Sequence, residues 1–409
     1  MSSRAPRAES ARAGSARHAI SVDLADGIQA VPREQWDALL TDEDSPFIAW
    51  NWLDALESSA SAAPNSGWTP CHLLARSRPG GELLAACPLY LKSHSFGEFV
   101  FDHAWAEAAQ RAGICYFPKL LAAVPFTPHT GRRFLTRSGE MRPALLEYLA
   151  GALASLCTDN RLSSVHVNFC TEDETRALER AGFLVRTGYQ YHWQNRGFAG
   201  FDDYLAALKS RRRSAVRHER AALRAQGVTI RVLSGEEISP TLVPLTYRLY
   251  LSTIQKLYWG RQYLNRAFFE RIITAYRPYL RLVLAFRDER PIAGTLNLEK
   301  AGVFYGRYWG CFEELKFLHF NVCYYAAIEH CIARGLRRFE PGAGGEYKWL
   351  RGFDPALTRS AHFIAHEGLR AGVARFLEAE RREVEDWIAT GQERSQIKSE
   401  PQPSDAEPG

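Results

Sequence analysis

The order of predicted elements in the second half of the chain limits the possible folds more than any other feature of the sequence. Alternating apolar patterns predict strands at 280–287, 291–299 and 303–309, then a helix over 319–334 and a strand that begins at Leu336. An antiparallel meander followed by a strand–helix–strand unit indicates a mixed sheet of the α/β (α+β) class. If the third strand and the strand at Leu336 are parallel neighbours, they part at their carboxyl ends, where ligands commonly bind.

The last of these strands leads into a glycine-rich stretch, GLRRFEPGAGGEYKWLRGF, at residues 335–353. Glycine accepts backbone dihedrals that a Cβ forbids, so a loop of this composition lets the backbone approach a ligand closely. A carboxylate at the strand end, Glu340, and two cations beyond it, Lys348 and Arg351, are the residue types of a site for a charged substrate. The alternative is an ordinary surface turn with solvated charges.

A chain of 409 residues is longer than one typical core requires, which favours two domains. We predict a disordered leader at 1–18, an N-terminal domain at 19–197, a C-terminal domain at 198–390 and a disordered tail at 391–409. Eight scattered cysteines form no CxxC pair, which argues against a zinc site and fits reduced thiols. Because no segment approaches the ~20 apolar residues of a membrane span, we expect a cytoplasmic protein with neither a span nor a metal.

A strongly basic helix, predicted over residues 201–226, opens the C-terminal domain. Seven cations accompany a single acid, Glu219, between positions 209 and 224, and several of them fall on one stripe at helical spacing. We interpret the stripe as a polyanion-binding surface for tRNA, the diphosphate of coenzyme A or a lipid-linked precursor, and a solvated helix face is the alternative. The residues selected for polyanion binding are Lys209, Arg212, Arg213, Arg217 and Arg220.

Five segments of the sequence resemble one known family. They are SFGEFVFDHAWAEA, YFPKLLAAVPFTPHTG, QYHWQNRGFAGFDDYLAALKSRRR, WGRQYL and LHFNVCYYAAIEHCIARGLRRFEPGAGGEYKWLRGF, which together span roughly Ser95 to Ala365. On these segments the chain is identified as a member of the FemAB-like "peptidoglycan biosynthesis/recognition" family of predicted N-acyltransferases, within the GNAT superfamily. The sequence departs from the family's pattern at His103 and Tyr347, where Trp and His are expected.

The resemblance implies two tandem GNAT-like domains, each with a mixed sheet flanked by helices. Related Fem enzymes move an aminoacyl group from charged tRNA to a cell-wall precursor amine, and other members of the superfamily use acyl-CoA. The resemblance therefore implies acyl-CoA or aminoacyl-tRNA as co-substrate, an amine-bearing acceptor, tRNA as a candidate partner and no permanently bound cofactor.

Transfer of an acyl group to an amine requires a base for the ammonium proton and donors for the oxyanion. The candidate catalytic residues are Glu340, Glu346, His192 and His319. For each of them the alternative is a structural role, such as a turn cap or a buried, hydrogen-bonded histidine. The candidates for substrate binding are Lys348, Arg351, Trp259, Trp309, Gly342, Gly344 and Gly345. No Cys or Ser stands in a recognisable nucleophile motif, which favours direct transfer over a covalent intermediate.

The sequence is thus interpreted as a cytoplasmic N-acyltransferase or aminoacyltransferase of cell-wall or peptide metabolism, with most of its site in the C-terminal domain. The alternative is a non-catalytic protein that recognises peptidoglycan precursors or another polyanion. Consumption of an activated donor distinguishes the two.

Overall fold

A computed structural model of the protein describes residues 20–256 and 261–398, except for the side chain of Glu346. Within these residues the chain forms fifteen β-strands and twelve α-helices. The strands are β1 (Ser21–Ala25), β2 (Trp68–Pro70), β3 (His72–Arg76), β4 (Leu83–Cys87), β5 (Leu89–Lys92), β6 (Lys119–Ala122), β7 (Leu135–Thr136), β8 (Ser164–Asn168), β9 (Leu184–Gln194), β10 (Val228–Ser234), β11 (Leu280–Arg287), β12 (Arg290–Lys300), β13 (Val303–Cys311), β14 (Arg338–Glu340) and β15 (Asp354–Ile364).

The helices are α1 (Arg33–Asp37), α2 (Trp50–Ser58), α3 (His103–Arg111), α4 (Arg142–Asp159), α5 (Glu172–Arg180), α6 (Phe201–Ala207), α7 (Ser210–Arg224), α8 (Val243–Lys256), α9 (Arg266–Ala275), α10 (Leu318–Phe320), α11 (Ala326–Ala333) and α12 (Glu367–Glu393). A π-helical turn at Asn321–Tyr325 joins α10 to α11, so that one helical segment extends from residue 318 to residue 333. Turns of this kind occur frequently at functional sites.

Eleven strands form one continuous sheet in the order β10-β11-β12-β13-β14-β9-β15-β8-β6-β5-β2, and β1, β3, β4 and β7 form a second sheet. The predicted meander corresponds to β11, β12 and β13, which pair antiparallel, and β13 runs parallel to β14 as expected. A second parallel pair, β6 and β8, is joined by α4 in the first half of the chain. Each half therefore contains one parallel pair joined by helix, and the predicted mixed α/β class with flanking helices is confirmed.

The two halves of the chain share the large sheet. Strand β9 of the first half lies between β14 and β15, and β15, which follows the glycine-rich loop, pairs with β8 as well as with β9. The predicted division at residue 197 therefore follows β9 in sequence but does not separate two sheets, because strands from the second half complete the sheet of the first.

Aromatic packing also joins the two halves. Trp52 on α2 is fully buried and meets the rings of Phe268 and Tyr276 edge-on, with centroids 5.3 and 5.5 Å apart. Phe47 meets Tyr305 on β13 in the same way at 5.2 Å. Because burial of each such ring contributes ~1.5–3 kcal/mol, these contacts make the N-terminal helices part of the core that supports β13.

Two predicted boundaries differ from the structure for the same reason, which is a contact with the end of the chain. The helix predicted over 201–226 is broken into α6 and α7, because Leu208 is extended and forms a β-bridge with Ile397. The amide of Lys209 donates to the carbonyl of Gln396 at 2.9 Å. Residue 390 lies inside α12, and the buried Ile397 shows that ordered chain continues past it. The predicted leader lies outside the described residues, as does the rest of the predicted tail.

Among the described residues no helix combines the length and the apolar character needed to cross a membrane. All eight cysteines are unpaired, and four of the five that are fully buried lie in the first half of the chain. Within the same residues no group of three or more His, Cys, Asp or Glu side chains is arranged to hold a metal ion.

Candidate active site

Strands β13 and β14 pair over only three residues, and we call the region beyond the carboxyl ends of this pairing the central crevice. The two strands pair at Val303–Arg338, Phe304–Phe339 and Tyr305–Glu340, after which β14 ends and β13 continues to Cys311. At Gly306, the first residue after this pairing, the two segments are still in close contact, since an added Cβ would stand 3.1 Å from Cα of Pro341. Since the helical segment starts soon after β13 and ends just before β14, its first turn lies at the open end of the crevice.

Glu340 ends β14 at the base of the central crevice. Its side chain is buried, accepts a hydrogen bond from His129 Nδ1 at 2.6 Å and forms an ion pair with Arg338 Nη2 at 2.6 Å. Burial alone would raise the pKa of this carboxyl, but the charge and hydrogen bond of His129, with the charges of His192 and Arg338, hold the pKa at about 2. Glu340 is therefore ionised at neutral pH and has both carboxylate oxygens engaged.

His129 comes from the other half of the chain, in the proline-containing loop after β6. Burial lowers the pKa of His129 although Glu340 opposes this effect, so the imidazole is neutral at neutral pH. An ionised carboxylate only accepts hydrogen bonds, so Nδ1 carries the hydrogen and donates it to Glu340. No hydrogen bond from the described residues reaches Nε2. The loop belongs to a segment that resembles the family, but no pattern in the sequence singled out His129.

His192 lies beside this pair on β9. Strand β9 pairs with β14 at Phe339–Trp193, so the next position along places His192 next to Glu340. Burial lowers the pKa of His192 to about 4, with Arg338, His129 and Lys348 acting in the same direction and Glu340 against it. Its Nε2 is 3.4 Å from Oε1 of Gln190. The structure thus brings two of the predicted catalytic residues, His192 and Glu340, to one place.

His319 and Trp309 form the opposite part of the central crevice. His319 is in the first turn of the helical segment, and its ring meets Trp309 of β13 edge-on at 5.1 Å. Burial, followed by the charges of Arg351 and Lys348, lowers the pKa of His319 to about 4. Both side chains therefore lie where β13 continues beyond its pairing with β14.

The glycine-rich loop is ordered by Lys348. The Nζ atom donates to the carbonyl oxygens of Gly342 at 2.6 Å and Ala343 at 3.2 Å, and burial lowers the pKa of the amine to about 8. Gly342, Gly344 and Gly345 have φ values of 88°, 69° and 87°, which side chains rarely tolerate. Lys348 therefore binds the loop itself, through the carbonyl oxygens of Gly342 and Ala343.

Arg351 points into the protein rather than into the crevice. Its Nη2 is 2.9 Å from Oε2 of Glu219, its Nε donates to the hydroxyl of Tyr325 at 2.8 Å, and its guanidinium lies 3.5 Å from the ring centroid of Phe320. These contacts support a structural role. They also turn Glu219, the acid of the basic helix, away from the surface.

The predicted polyanion-binding side chains divide into two groups. Lys209 and Arg217 are exposed and Arg212 is half-buried, and none of the three forms an ion pair with a described residue. Arg213 donates to the carbonyl of Ala206 at 3.3 Å. Arg220 is held by Glu329 at 2.8 Å and by the ring of Phe201 at 3.9 Å. The first group is available to a partner, whereas the other two side chains stabilise the surface that carries it.

Two predicted site residues are not described. Trp259 lies outside the described residues, and the side chain of Glu346 is likewise not described, although its backbone begins a short 3₁₀ helix that ends at Arg351.

The fold of the chain is that of known two-half α/β proteins. One similar structure is that of FemX, with a TM-score of 0.51 and 12% identity over 84% of this chain and 98% of that chain. Another is the C-terminal domain (DUF2156) of a candidate lysylphosphatidylglycerol synthetase from Agrobacterium fabrum, with a TM-score of 0.52 and 9% identity over 84% and 95% of the two chains. A tandem GNAT protein from the clavulanic acid biosynthesis pathway is also similar, with a TM-score of 0.44 and 12% identity over 85% and 99%.

The sequence identifies the family more narrowly than the fold does. The model of the FemAB-like family, described as peptidoglycan biosynthesis/recognition, matches residues 27–399. The chain therefore belongs to the FemAB-like family, and the predicted membership is confirmed. No curated protein matches the chain.

Proposed function

We propose that the protein transfers an acyl or aminoacyl group from an activated donor to an amine in the central crevice. The observation that carries the proposal is the buried carboxylate of Glu340, which stands where the parallel strands separate and is hydrogen-bonded to a neutral histidine from the other half. Membership of the FemAB-like family supports this class of reaction. The family's description also supports an acceptor from peptidoglycan synthesis.

The proton of the acceptor ammonium leaves through the histidine–carboxylate pair. An acceptor amine arrives protonated, and the ionised Glu340 attracts it into the crevice. The neutral imidazole of His129, with Nδ1–H held by Glu340, takes the proton at Nε2, and the carboxylate stabilises the imidazolium that forms. Glu340, which the sequence analysis selected as the base, thus serves as the partner of the base, because its own pKa of about 2 makes it a weak proton acceptor. His192 is the second histidine within reach of the same charge.

The acyl or aminoacyl donor binds only in the central crevice of the second half of the chain. In the first half, β6 and β8 are the corresponding parallel pair, but the loop after β6 covers the end of β8. The amide of Gly131 donates to Phe169 at 3.0 Å, and the buried Arg133 donates from Nε to the carbonyl of Asn168 at 2.9 Å. The gap that is open beyond Glu340 is therefore filled by the chain itself in the first half, which supports one donor per protein.

Acyl-CoA and aminoacyl-tRNA are the two donor classes to test. The amino end of the helical segment, at Leu318–Phe320, favours a phosphate or a developing oxyanion through its positive helix dipole. The exposed cations Lys209 and Arg217 on α7 favour a longer polyanion such as tRNA.

A donor-consumption assay tests the proposed function. Purified full-length protein is incubated with acyl-CoA or with aminoacyl-tRNA, with and without an amine-bearing cell-wall precursor, and release of free thiol or of deacylated tRNA is followed. The proposal predicts amine-dependent consumption of one donor class and an amide product. A donor or precursor that binds tightly but is consumed in no combination would instead support the non-catalytic alternative.

A further inference from the structure

A chain of buried polar side chains crosses the sheet of the first half, away from the central crevice. It is formed by alternate residues on one face of neighbouring strands, since β15 and β8 pair at His362–His166 and at Ser360–Asn168. His166 and His362 are both wholly buried. Neither histidine has a part in the transfer site described above.

The hydrogen bonds of this chain are continuous from a serine to a carboxylate. Ser360 Oγ lies 2.9 Å from His362 Nε2, and His362 Nδ1 lies 2.7 Å from His166 Nδ1. The other nitrogen of His166, Nε2, is 3.4 Å from the hydroxyl of Tyr116, which donates to Asp102 at 2.7 Å. Ser360 and His362 are therefore a hydrogen-bonded serine–histidine pair. His166 orients His362, and Asp102 orients His166 through Tyr116.

The polar atoms around His166 determine which ring nitrogen of each histidine carries the hydrogen. His166 Nε2 faces Ser164 Oγ at 2.9 Å, the oxygen of Tyr116 and, at 3.9 Å, the carboxylate of Asp102. The hydrogen of Tyr116 is already given to Asp102, so two of these three atoms can only accept, and one is negatively charged. His166 therefore carries its hydrogen on Nε2, Nδ1 of His166 accepts from Nδ1–H of His362, and Nε2 of His362 accepts the hydrogen of Ser360.

Ser360 lines a crevice of 300 Å³ over the middle of β9 and β15, which we call the serine crevice. Its wall also includes Phe99, Phe101, Phe169, Gly188 and Thr358, and at one end it reaches Gly344 of the glycine-rich loop. Gly188 is in the interior of β9, and an added Cβ would stand 3.0 Å from Oγ1 of Thr358, so this glycine makes room for the threonine paired with it on β15. The three phenylalanines make one side of the crevice apolar and suited to an acyl or aryl group.

We propose that Ser360 is a nucleophile, with His362 as its general base, and that the serine crevice accepts an activated ester. Ser360 Oγ forms a bond to the acyl carbon while its proton passes to His362 Nε2. The bond to the leaving alcohol then breaks, and that alcohol takes the proton from His362. Water releases the acyl group by the same two steps and restores the serine. His166 and Asp102 are positioning residues, because they act on Ser360 only through His362.

The charged groups around the hydrogen-bonded chain from Ser360 to Asp102 form ion pairs with one another. Lys119 donates to both Asp102 and Glu98, so the carboxylate that orients the chain is itself held by a buried ammonium. Arg186, which pairs across the strand from Ser360 in register, is held by Glu380 at 2.7 Å and by the carbonyl of Phe101. Burial, with the charges of His166, Arg186 and Lys119, holds the pKa of His362 well below its usual value, so the imidazole is neutral in the resting protein.

The experiment is labelling of the full-length protein by a fluorophosphonate, which bonds to an activated serine oxygen with loss of fluoride. We expect one label per protein, located at Ser360 by peptide mapping, and a labelling rate lowered roughly 10²-fold or more in His362→Gln, the loss typical of a missing general base. Ser360→Ala should not be labelled. Ser252→Ala, which removes another partly buried hydroxyl, should be labelled like the unaltered protein.

A positioning role for Asp102 is tested through pH. In Asp102→Asn the labelling rate should shift its pH dependence, whereas loss of packing alone would lower the rate equally at every pH. Circular dichroism and melting temperature establish that each variant is folded, and Ser360→Ala, the smallest change, decides the question if the histidine variant unfolds. No label on the folded unaltered protein, or a label that persists in Ser360→Ala, overturns the proposal without affecting transfer in the central crevice.

Discussion

The imidazole of His129 and the carboxylate of Glu340 lie 2.6 Å apart, although 211 residues separate them in the chain. One belongs to the loop after β6 and the other to the end of β14, so the candidate site is complete only when both halves are folded. The large sheet and the aromatic core, which both halves share, support this contact. Both hold the loop of one half against the strand end of the other.

The role of His129 as the base predicts a dependence on the acceptor amine. His129→Gln should lower transfer to an alkylamine by about 10²–10⁴-fold, the usual contribution of a positioned base. Transfer to hydroxylamine, which is unprotonated at neutral pH, should fall much less, because no proton has to be removed before the nitrogen attacks the acyl carbon. Exposed His103 on α3 offers the control His103→Gln. Equal losses for both amines would show that His129 acts on the structure instead.

The low pKa of Glu340 predicts a loss of stability in acid. The folded-state pKa is about 2 against an ordinary value of 4.5, so ionised Glu340 favours folding above pH 4.5, and this contribution is lost as pH falls toward 2. A shift of this size is worth about 3 kcal/mol. The free energies of urea unfolding of the unaltered protein and Glu340→Gln should therefore converge as pH is lowered from 7 to 3. A difference that stays constant with pH would contradict the shift.

The inward position of Arg351 predicts that its loss affects folding and not substrate affinity. Arg351→Met keeps the bulk but leaves Glu219 without its cation, at a cost of about 3 kcal/mol in unfolding free energy. The double variant with Glu219→Gln should recover part of that cost, since no unpaired charge remains. Unchanged stability together with weakened donor binding would instead assign Arg351 to substrate binding.

The exposed cations of α7 predict a salt-dependent contribution to tRNA binding. Lys209→Ala and Arg217→Ala should each weaken binding and reduce the slope of log K against log salt by about one. Arg220→Ala is the contrasting variant, because it removes contacts with Glu329 and Phe201 and should lower the melting temperature. Binding that does not change with salt would show that α7 is a solvated face.

The order of β11 to β14 was predictable from the sequence, and with it the place of Glu340. Alternating apolar residues define β11 to β13, and chain order makes β14 the parallel neighbour whose end opens the crevice. The pairing of His129 with Glu340 was not predictable, because periodicity does not say which loops meet. The break at Leu208 has the same origin, since it depends on a bridge to Ile397 at the far end of the chain.

The direction of charged side chains was the other property that the sequence did not reveal. Lys348 and Arg351 follow the glycine-rich loop and were predicted to bind substrate, but one binds the loop carbonyls and the other binds Glu219. The presence of a single acid among seven cations on the basic helix was a signal that could have identified Glu219 as an internal partner. The His166–His362 relay gave no signal, because its members come from separate strands.

The most direct test of the account is the rate of donor consumption by Glu340→Gln at saturating donor and amine. The substitution keeps the size of the side chain but removes one acceptor oxygen and the charge that orients His129. Exposed Glu378 on α12 provides the matched control, Glu378→Gln. The account predicts a loss of about 10²-fold or more for Glu340→Gln and none for the control. Full activity of a folded Glu340→Gln protein would contradict it.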